Sequence, residues 1–196
     1  VFEDRTIRHT AVIPVAGNQV TSDIRKGLGI LTEQAEKLKC LYGFALASAV
    51  VDDGAIVIPG IGGRPPLEID KQLLAQIIQP RMEEIFEIAA LEIKRSGYSR
   101  HLSAGVVLTG GGALIKGVAP LAQEILGMPV KIGIPGGFYA GLVREIENPI
   151  YSTCVGLVLH GLTNREATAY QMEHEKVQNG SVKKIFTKMK SWFDEL

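Results

Sequence analysis

Gly105-Val106-Val107-Leu108-Thr109-Gly110-Gly111-Gly112-Ala113-Leu114, continued by a helical pattern to about Leu126, decides how the rest of the chain is read. A short β-branched apolar run that stops at three glycines and restarts with helical spacing predicts a strand, a tight turn and a helix N-terminus, in that order. Two readings of the turn stand side by side. One is a plain strand-to-helix connection. The other is a ligand seat, where backbone without Cβ lets N–H groups approach a bound group and the helix dipole favours an anion. The stretch does not fit the G-x-x-x-x-G-K-[ST] phosphate loop, because no Gly-Lys-Ser/Thr follows, and it lacks a clean G-x-G-x-x-G dinucleotide pattern.

The 196 residues, 46% hydrophobic and 21% charged, have ordinary globular composition, enough for one large core or two modest lobes. A formal net charge of +0 gives no global basic field, so no nucleic-acid partner is expected. Cys40 and Cys154 lie far apart in apolar surroundings without a C-x-x-C and are expected as buried, reduced thiols. No run approaches the roughly 18 apolar residues of a membrane-spanning helix, and no signal-peptide pattern is present. His9, His101, His160 and His174 are isolated from any nucleophile or metal-ligand cluster, so no independent catalysis is expected.

Val1 to Ile13 reads as a hairpin with its turn near Glu3 to Arg5, beginning in mid-pattern as a fragment would. Ala16-Gly17-Asn18 then leads into a helix to about Gly27, with Thr21 and Asp23 expected as capping residues. Thr32 to Lys39 predicts a second helix capped by Thr32, with Ala35 and Leu38 facing inward. Glu36 and Lys39 share a face at i, i+3, a spacing that a solvated ion pair also explains. The runs Ala47–Val51 and Ala55–Ile58, split by Asp52-Asp53-Gly54, predict a hairpin closed off by Ile61 to Pro66. Ile69 to Gln79 has helical spacing, and Pro80 is expected to open a long helix through Arg95, with Gly97 as its C-cap. Met82, Ile85, Phe86, Ala89 and Ile93 give that helix one apolar stripe. Met128 to Ile134 predicts a strand parallel to the Val106 strand, because a helix joins them. Residues 149–161 form an apolar helix with small residues on one side, and 164–180 are too polar to dock.

Read together, Ala35-Glu36-Lys37-Leu38-Lys39, Val107 to Gly112 and Tyr151-Ser152-Thr153-Cys154-Val155-Gly156-Leu157 resemble, in order, parts of the second half of the actin and heat-shock-70 ATPase fold. Within that superfamily, Ile58 to Pro66, Ile77-Ile78-Gln79-Pro80-Arg81 and Pro149 to Thr153 look like the bacterial cell-division family FtsA. The resemblance implies an α/β, actin-like (ribonuclease H-like) ATPase half with an inserted α+β subdomain. Subdomain 2A would comprise residues 1–32 and 80–165, and subdomain 2B residues 33–79. ATP with Mg would lie in a cleft between two such halves. Glu36 and Lys39 would reach the ribose and base, Gly110, Gly111 and Gly112 would lie beneath them, and Leu114 and Ile115 would line the adenine slot. The family's usual Gly-Gly before the first helix is Ala16-Gly17 here. The phosphate-binding hairpins with their acidic metal ligands are expected before Val1.

The resemblance further implies a cell-division adaptor, not an enzyme, that assembles into filaments and binds the C-terminal peptide of the tubulin-like protein FtsZ. That peptide is acidic, so Arg64 and Arg81 are candidate cations for it, since a guanidinium fork pairs bidentately with carboxylates; Arg81 pairing with a nearby helix carboxylate is the other reading. Superfamily alternatives are a sugar kinase, a chaperone ATPase and an actin-like pilus-assembly protein.

After a polar linker, 166–180, the tail 181–196 carries Val182, Ile185, Phe186, Met189, Trp192, Phe193 and Leu196 on one helical face, with Lys183, Lys184, Lys188 and Lys190 elsewhere. That is a basic amphipathic helix, suited to the surface of an anionic bilayer. Docking onto its own core and partner-helix binding are the competing readings. The family resemblance favours the membrane: it implies a tether to the inner face of the cytoplasmic membrane, at the division site.

Overall fold

The computed structural model describes residues 1–164, apart from 5, 52–53, 61 and 137–142. Val1–Ser152 form one compact unit and Thr153–Leu196 a second.

The first unit opens with the expected hairpin, β1 (Phe2–Glu3) antiparallel to β2 (Thr6–Ile7), with Asp4 at positive φ in the turn. Helix α1 (Gly17–Leu28) buries Val20, Thr21 and Ile24 on one face and ends at Gly29 in the left-handed region. It starts at Gly17 with no side-chain cap, so Thr21 and Asp23 are interior residues and not the caps expected from sequence. Helix α2 (Thr32–Tyr42) buries Ala35 and Leu38 as expected, but Thr32 is its first helical residue and Gln34 Oε1 accepts the Leu31 N–H instead. Gln34 also donates to the Pro59 carbonyl at 2.9 Å, tying α2 to the strand that follows.

The hairpin expected across Asp52-Asp53-Gly54 is replaced by another. Ala47–Ala49 form a 3-10 turn, and β3 (Ala55–Ile58) pairs antiparallel with β4 (Leu67–Asp70), Ile56 opposite Ile69. The reversal falls in the Pro/Gly loop between them, where Gly62 and Gly63 adopt φ of 61° and 81°, conformations costly for other residues. Asp70 then caps helix α3 (Lys71–Arg95) by accepting from the Leu73 N–H. Pro80 lies inside this helix and does not open it, because a capped start at Asp70 and the buried residues Leu74, Ala75 and Ile78 carry the helix through that position.

Strand β5 (Val106–Leu108) runs parallel to β6 (Val130–Ile132), Val107 opposite Lys131, with α4 (Val118–Leu126) between them in sequence, as the pattern predicted. A one-turn helix, α5, spans Val143–Ile146. The core joins Val20 and Ile24 of α1, Leu38 of α2, Ile56 and Ile58 of β3, Ile69 of β4, Leu74, Ile78, Met82 and Phe86 of α3, and Val118 and Leu121 of α4. Each such side chain contributes roughly 1.5–3 kcal/mol by leaving water.

Both described cysteines are exposed, contrary to expectation, since Cys40 lies on the outer face of α2 and Cys154 on a helix over residues 152–164. In that second unit Leu157, Val158, Leu159 and Leu162 also stand exposed. Residues 165–196, with the linker and every tail residue named above, lie outside the described part.

Ile78 is 0% exposed between helices and sheet, whereas Val57 on β3 is 63% exposed. Ile78→Ala is expected to lower unfolding stability by about 2–5 kcal/mol in urea titration, and Val57→Ala by well under ~1 kcal/mol. Similar losses for both would contradict this placement of the core.

Candidate functional site

Helix α1, helix α2 and the glycine turn converge on one cavity of about 460 Å³, within the size range of small-molecule sites. Its walls are Ala16, Gly17 and Asn18 at the start of α1, Glu36, Lys39 and Cys40 on α2, Gly111, Gly112, Leu114 and Ile115 after β5, and Ile150. Six of the seven residues singled out from sequence for the nucleotide therefore lie around one space. Gly110 is not in the wall: it holds the turn, with φ of 87° and its N–H donating to the Pro149 carbonyl at 3.0 Å.

The turn differs from expectation in one physical respect. Gly111–Leu114 is a 3-10 turn, the chain re-extends at Ile115, and α4 begins only at Val118. Four residues of 3-10 turn carry little dipole, so the glycines offer space, not an anion seat. A Cβ built on Gly112 meets nothing within 4 Å. The helix N-terminus at this cavity is that of α1 instead, whose first residue, Gly17, follows an Ala16 that supplies no side-chain cap.

A polar network joins the two helices. Lys39 Nζ donates to Glu36 Oε2 at 2.8 Å, to Thr21 Oγ1 at 2.9 Å and to the Gly17 carbonyl at 3.2 Å. Thr21 Oγ1 has two acceptors in reach, Glu36 Oε2 at 2.5 Å and Gly17 O at 3.2 Å, and the shorter contact takes its single proton. The Cys40 thiol lies 3.4 Å from Glu36 Oε1. Partial burial by itself raises the Glu36 carboxyl, but the hydrogen bonds from Lys39, Thr21 and Cys40 outweigh it and hold it below its ordinary value. Partial desolvation of the sulfur, then the Glu36 carboxylate, push Cys40 up, so it remains an S–H donor. Sequence spacing located the Glu36–Lys39 pair. It missed Thr21, whose role depends on α1 crossing α2, and also Asn18, Cys40 and Ile150. Glu36 and Asn18 also border a wide groove of about 840 Å³ along α1 and α2, lined by Thr21, Ser22 and Arg25 among others.

The two candidate partner cations have different surroundings. Arg64 is exposed and borders a groove of about 290 Å³ with Leu28, Ile30, Ile58, Pro65 and Pro66. Arg81 is engaged by the fold: Nε donates to Asp23 Oδ2 at 2.5 Å, Nη2 to Asp23 Oδ1 at 3.3 Å, and Nη1 to Glu84. Those bonds, led by Asp23, hold its pKa above the ordinary guanidinium value. Among the described residues, no group of three His, Cys, Asp or Glu is placed to hold a metal.

The family model described as cell division protein FtsA matches residues 1–156. The chain belongs to the FtsA family. It is 46% identical over 162 residues to the FtsA of Pseudomonas aeruginosa, covering 83% of this chain and 39% of that protein. With the Escherichia coli K12 FtsA it shares 40% identity over 202 residues, covering 98% of this chain and 47% of that protein. The chain thus spans less than half the length of these FtsA relatives. Its fold is similar to MreB 5 of Spiroplasma citri bound to AMPPNP, with a TM-score of 0.61 at 20% identity over 81% of this chain and 47% of that one. The same protein bound to ADP gives a TM-score of 0.61 over 80% of this chain. The α/β fold is therefore actin-like, and FtsA membership sets aside the sugar-kinase, chaperone and pilus-assembly alternatives.

Because the folded-state pKa of Glu36 lies below its unfolded value of 4.5, its stabilising contribution is full above that value and is lost as pH falls through the lowered one. The melting-temperature gap between the native chain and Glu36→Gln is expected to be constant in neutral buffer and to close on acidification below about pH 4.5. A gap that persists in acid would show that the carboxylate is not what the network stabilises.

Proposed function

We propose that this chain is the nucleoside-binding part of an actin-like cell-division adaptor of the FtsA kind. The observation that carries this reading is the cavity that brings Glu36 of α2 together with Gly111, Gly112 and Ile115, about 75 residues further along the chain. Its parts suit the base and sugar of ATP. Leu114, Ile115 and Ile150 are apolar surface for a ring, the open side of Gly112 leaves room for it, and Glu36 is an acceptor for hydroxyls. The uncapped start of α1 favours negative charge nearby, which suits a phosphate. Mg would accompany the phosphates, and neutralise them, through groups other than these residues. The neighbours with AMPPNP and ADP bound support nucleotide binding at the level of the fold.

In this reading residues 1–32 and 80–165 act as subdomain 2A, residues 33–79 as subdomain 2B, and the whole protein is a filament-forming adaptor with at most weak ATPase activity. The C-terminal peptide of FtsZ would dock beside Arg64, whose groove combines apolar walls with an exposed cation. Arg81 serves this surface less well, since Asp23 and Glu84 already take its charge. The lysine-rich amphipathic tail, with Val182, Lys183, Lys184, Ile185, Phe186, Met189, Trp192 and Phe193, would hold the assembly on the cytoplasmic face of the membrane at the division site.

Two measurements on the intact protein test this. Gly112 has no positive φ and open space beside it, so Gly112→Leu fills the cavity without straining the backbone. Calorimetric titration with ATP is expected to show about tenfold or greater weakening with an unchanged circular dichroism spectrum; equal affinity would remove the cavity from nucleotide binding. Independently, Trp192→Glu with Phe193→Glu is expected to release the protein from anionic vesicles in sedimentation, while neutral vesicles bind neither form appreciably. Continued pelleting of the double variant with anionic lipid would exclude the tail as the anchor.

A further inference from the structure

Helices α1 and α2 each reach two separate places on the molecule. Helix α1 begins in the cavity wall, at Gly17 and Asn18, and ends with Leu28 in the wall of the Arg64 groove. Helix α2 starts beside that groove, where Gln34 lines it, and returns to the cavity through Cys40. The two therefore form an antiparallel pair about 18 Å long, its open end in the cavity and its connecting turn in the groove. Lys39 Nζ donates to the Gly17 carbonyl at 3.2 Å and to Thr21 Oγ1 at 2.9 Å, so the helices are bonded side by side and move as one body.

The groove is a seam between that pair and the chain joining β3 to β4. Leu28 and Ile30 at the turn form one wall, and Pro59, Arg64 and Pro66 belong to the other. Gln34 spans the seam: its Nε2 donates to the Pro59 carbonyl at 2.9 Å, while its Oε1 accepts from the Leu31 N–H at 3.2 Å. The width of the groove thus depends on where the helix pair stands. The opposite wall of the cavity, with Gly111, Gly112 and Ile115, belongs to another part of the chain, so a ligand touching both walls sets the position of the pair. At the cavity end the pair is fastened just past α2, where the Ala45 N–H donates to the Lys116 carbonyl at 2.7 Å. A tilt of about 5° about that fastening moves the far end by about 1.5 Å, a displacement that close-packed surfaces register.

We propose that the cavity and the Arg64 groove are thermodynamically coupled: a nucleotide in the cavity resets the affinity of the groove for its acidic peptide through the α1–α2 pair, with Gln34 as the link across the seam. This rests on the cavity being a nucleotide site and the groove a peptide site, and it adds a regulatory relation between them. Such coupling is reciprocal, so the factor by which ATP changes peptide affinity is also the factor by which the peptide changes ATP affinity.

The experiment measures binding of a fluorescein-labelled FtsZ C-terminal peptide to the full-length protein by anisotropy, with and without saturating ATP, and of ATP by calorimetry, with and without saturating peptide. Both comparisons are expected to give the same factor, about fivefold or more. Gln34→Leu removes both side-chain bonds and Gln34→Glu removes only the donor to Pro59. Each is expected to bring the factor to within about twofold of parity, and either decides the matter should the other fail to fold. A Gln34 that merely shapes the groove would change peptide affinity equally with and without ATP and leave the factor intact, which would overturn its role as the link. A native protein that binds both ligands with a factor of one overturns the coupling alone. One that binds no ATP overturns the nucleotide reading with it. Should ATP bind and the peptide not, the peptide reading fails, and amide hydrogen exchange over residues 28–34 and 58–67 decides the coupling: altered protection on adding ATP upholds it, and unaltered protection overturns it.

Discussion

The Ala45 N–H and the Lys116 carbonyl, 2.7 Å apart, join two stretches of chain that are about 70 residues apart, and the geometry of the cavity depends on that junction. Phe44 and Lys116 form a parallel bridge at the same point, just past the C-terminus of α2 and just before α4. Gly117 follows immediately at φ 75°, a conformation that favours glycine, and a Cβ there would stand 3.0 Å from the Phe44 ring. With the end of α2 pinned to the loop after the glycine turn, Glu36 and Lys39 on one side and Gly111 to Ile115 on the other become opposite walls of one space. Ala45 and Ile115, at and beside the junction, are both buried.

Much of this was legible in sequence where the signal is local. The Val106 to Leu108 run before glycines, the parallel strand after α4 and the inward pair Ala35 and Leu38 each follow from a period or a breaker within a few residues. The signal failed where a local cue competed with a distant one. Asp52-Asp53-Gly54 looks like a hairpin turn, yet β3 finds its partner across the longer loop ending at Pro66, because that pairing buries Ile56, Ile58 and Ile69 together in the core. Pro80 looks like a helix start, yet packing of Leu74 and Ile78 before it and Met82 and Phe86 after it holds one helix through the missing N–H. In both cases tertiary burial outweighed a turn or breaker preference of about 1–3 kcal/mol.

The candidate site divides along the same line. Spacing put Glu36 and Lys39 on one helical face, but no spacing rule reveals that Thr21, on another helix, supplies the third member. Arg64 and Arg81 look alike in sequence, as cations beside prolines. Asp23, 58 residues from Arg81, makes the difference: its carboxylate fastens α1 to α3 through the guanidinium, while among the described residues no carboxylate forms an ion pair with Arg64. Charge availability is a property of the folded neighbourhood, and for residues this distant only coordinates report it.

The pair Asp23–Arg81 and the trio Thr21–Glu36–Lys39 both start from α1, two residues apart in sequence and so on opposite flanks of that helix. One links α1 to α3 and the other links it to α2, so the helix whose uncapped start opens on the cavity is held by charge on both flanks as well as by Val20 and Ile24 beneath. Surface ion pairs by themselves contribute little to stability. Their value here is directional: each restricts rotation of α1 about its axis, a motion that hydrophobic contacts, being non-directional, resist weakly. Fixing that rotation fixes where the Gly17 end of the helix and the Glu36 carboxylate stand relative to the glycine wall. A cavity assembled from three separate elements is thereby held in one arrangement, and the polar contacts set that geometry more than they add to stability.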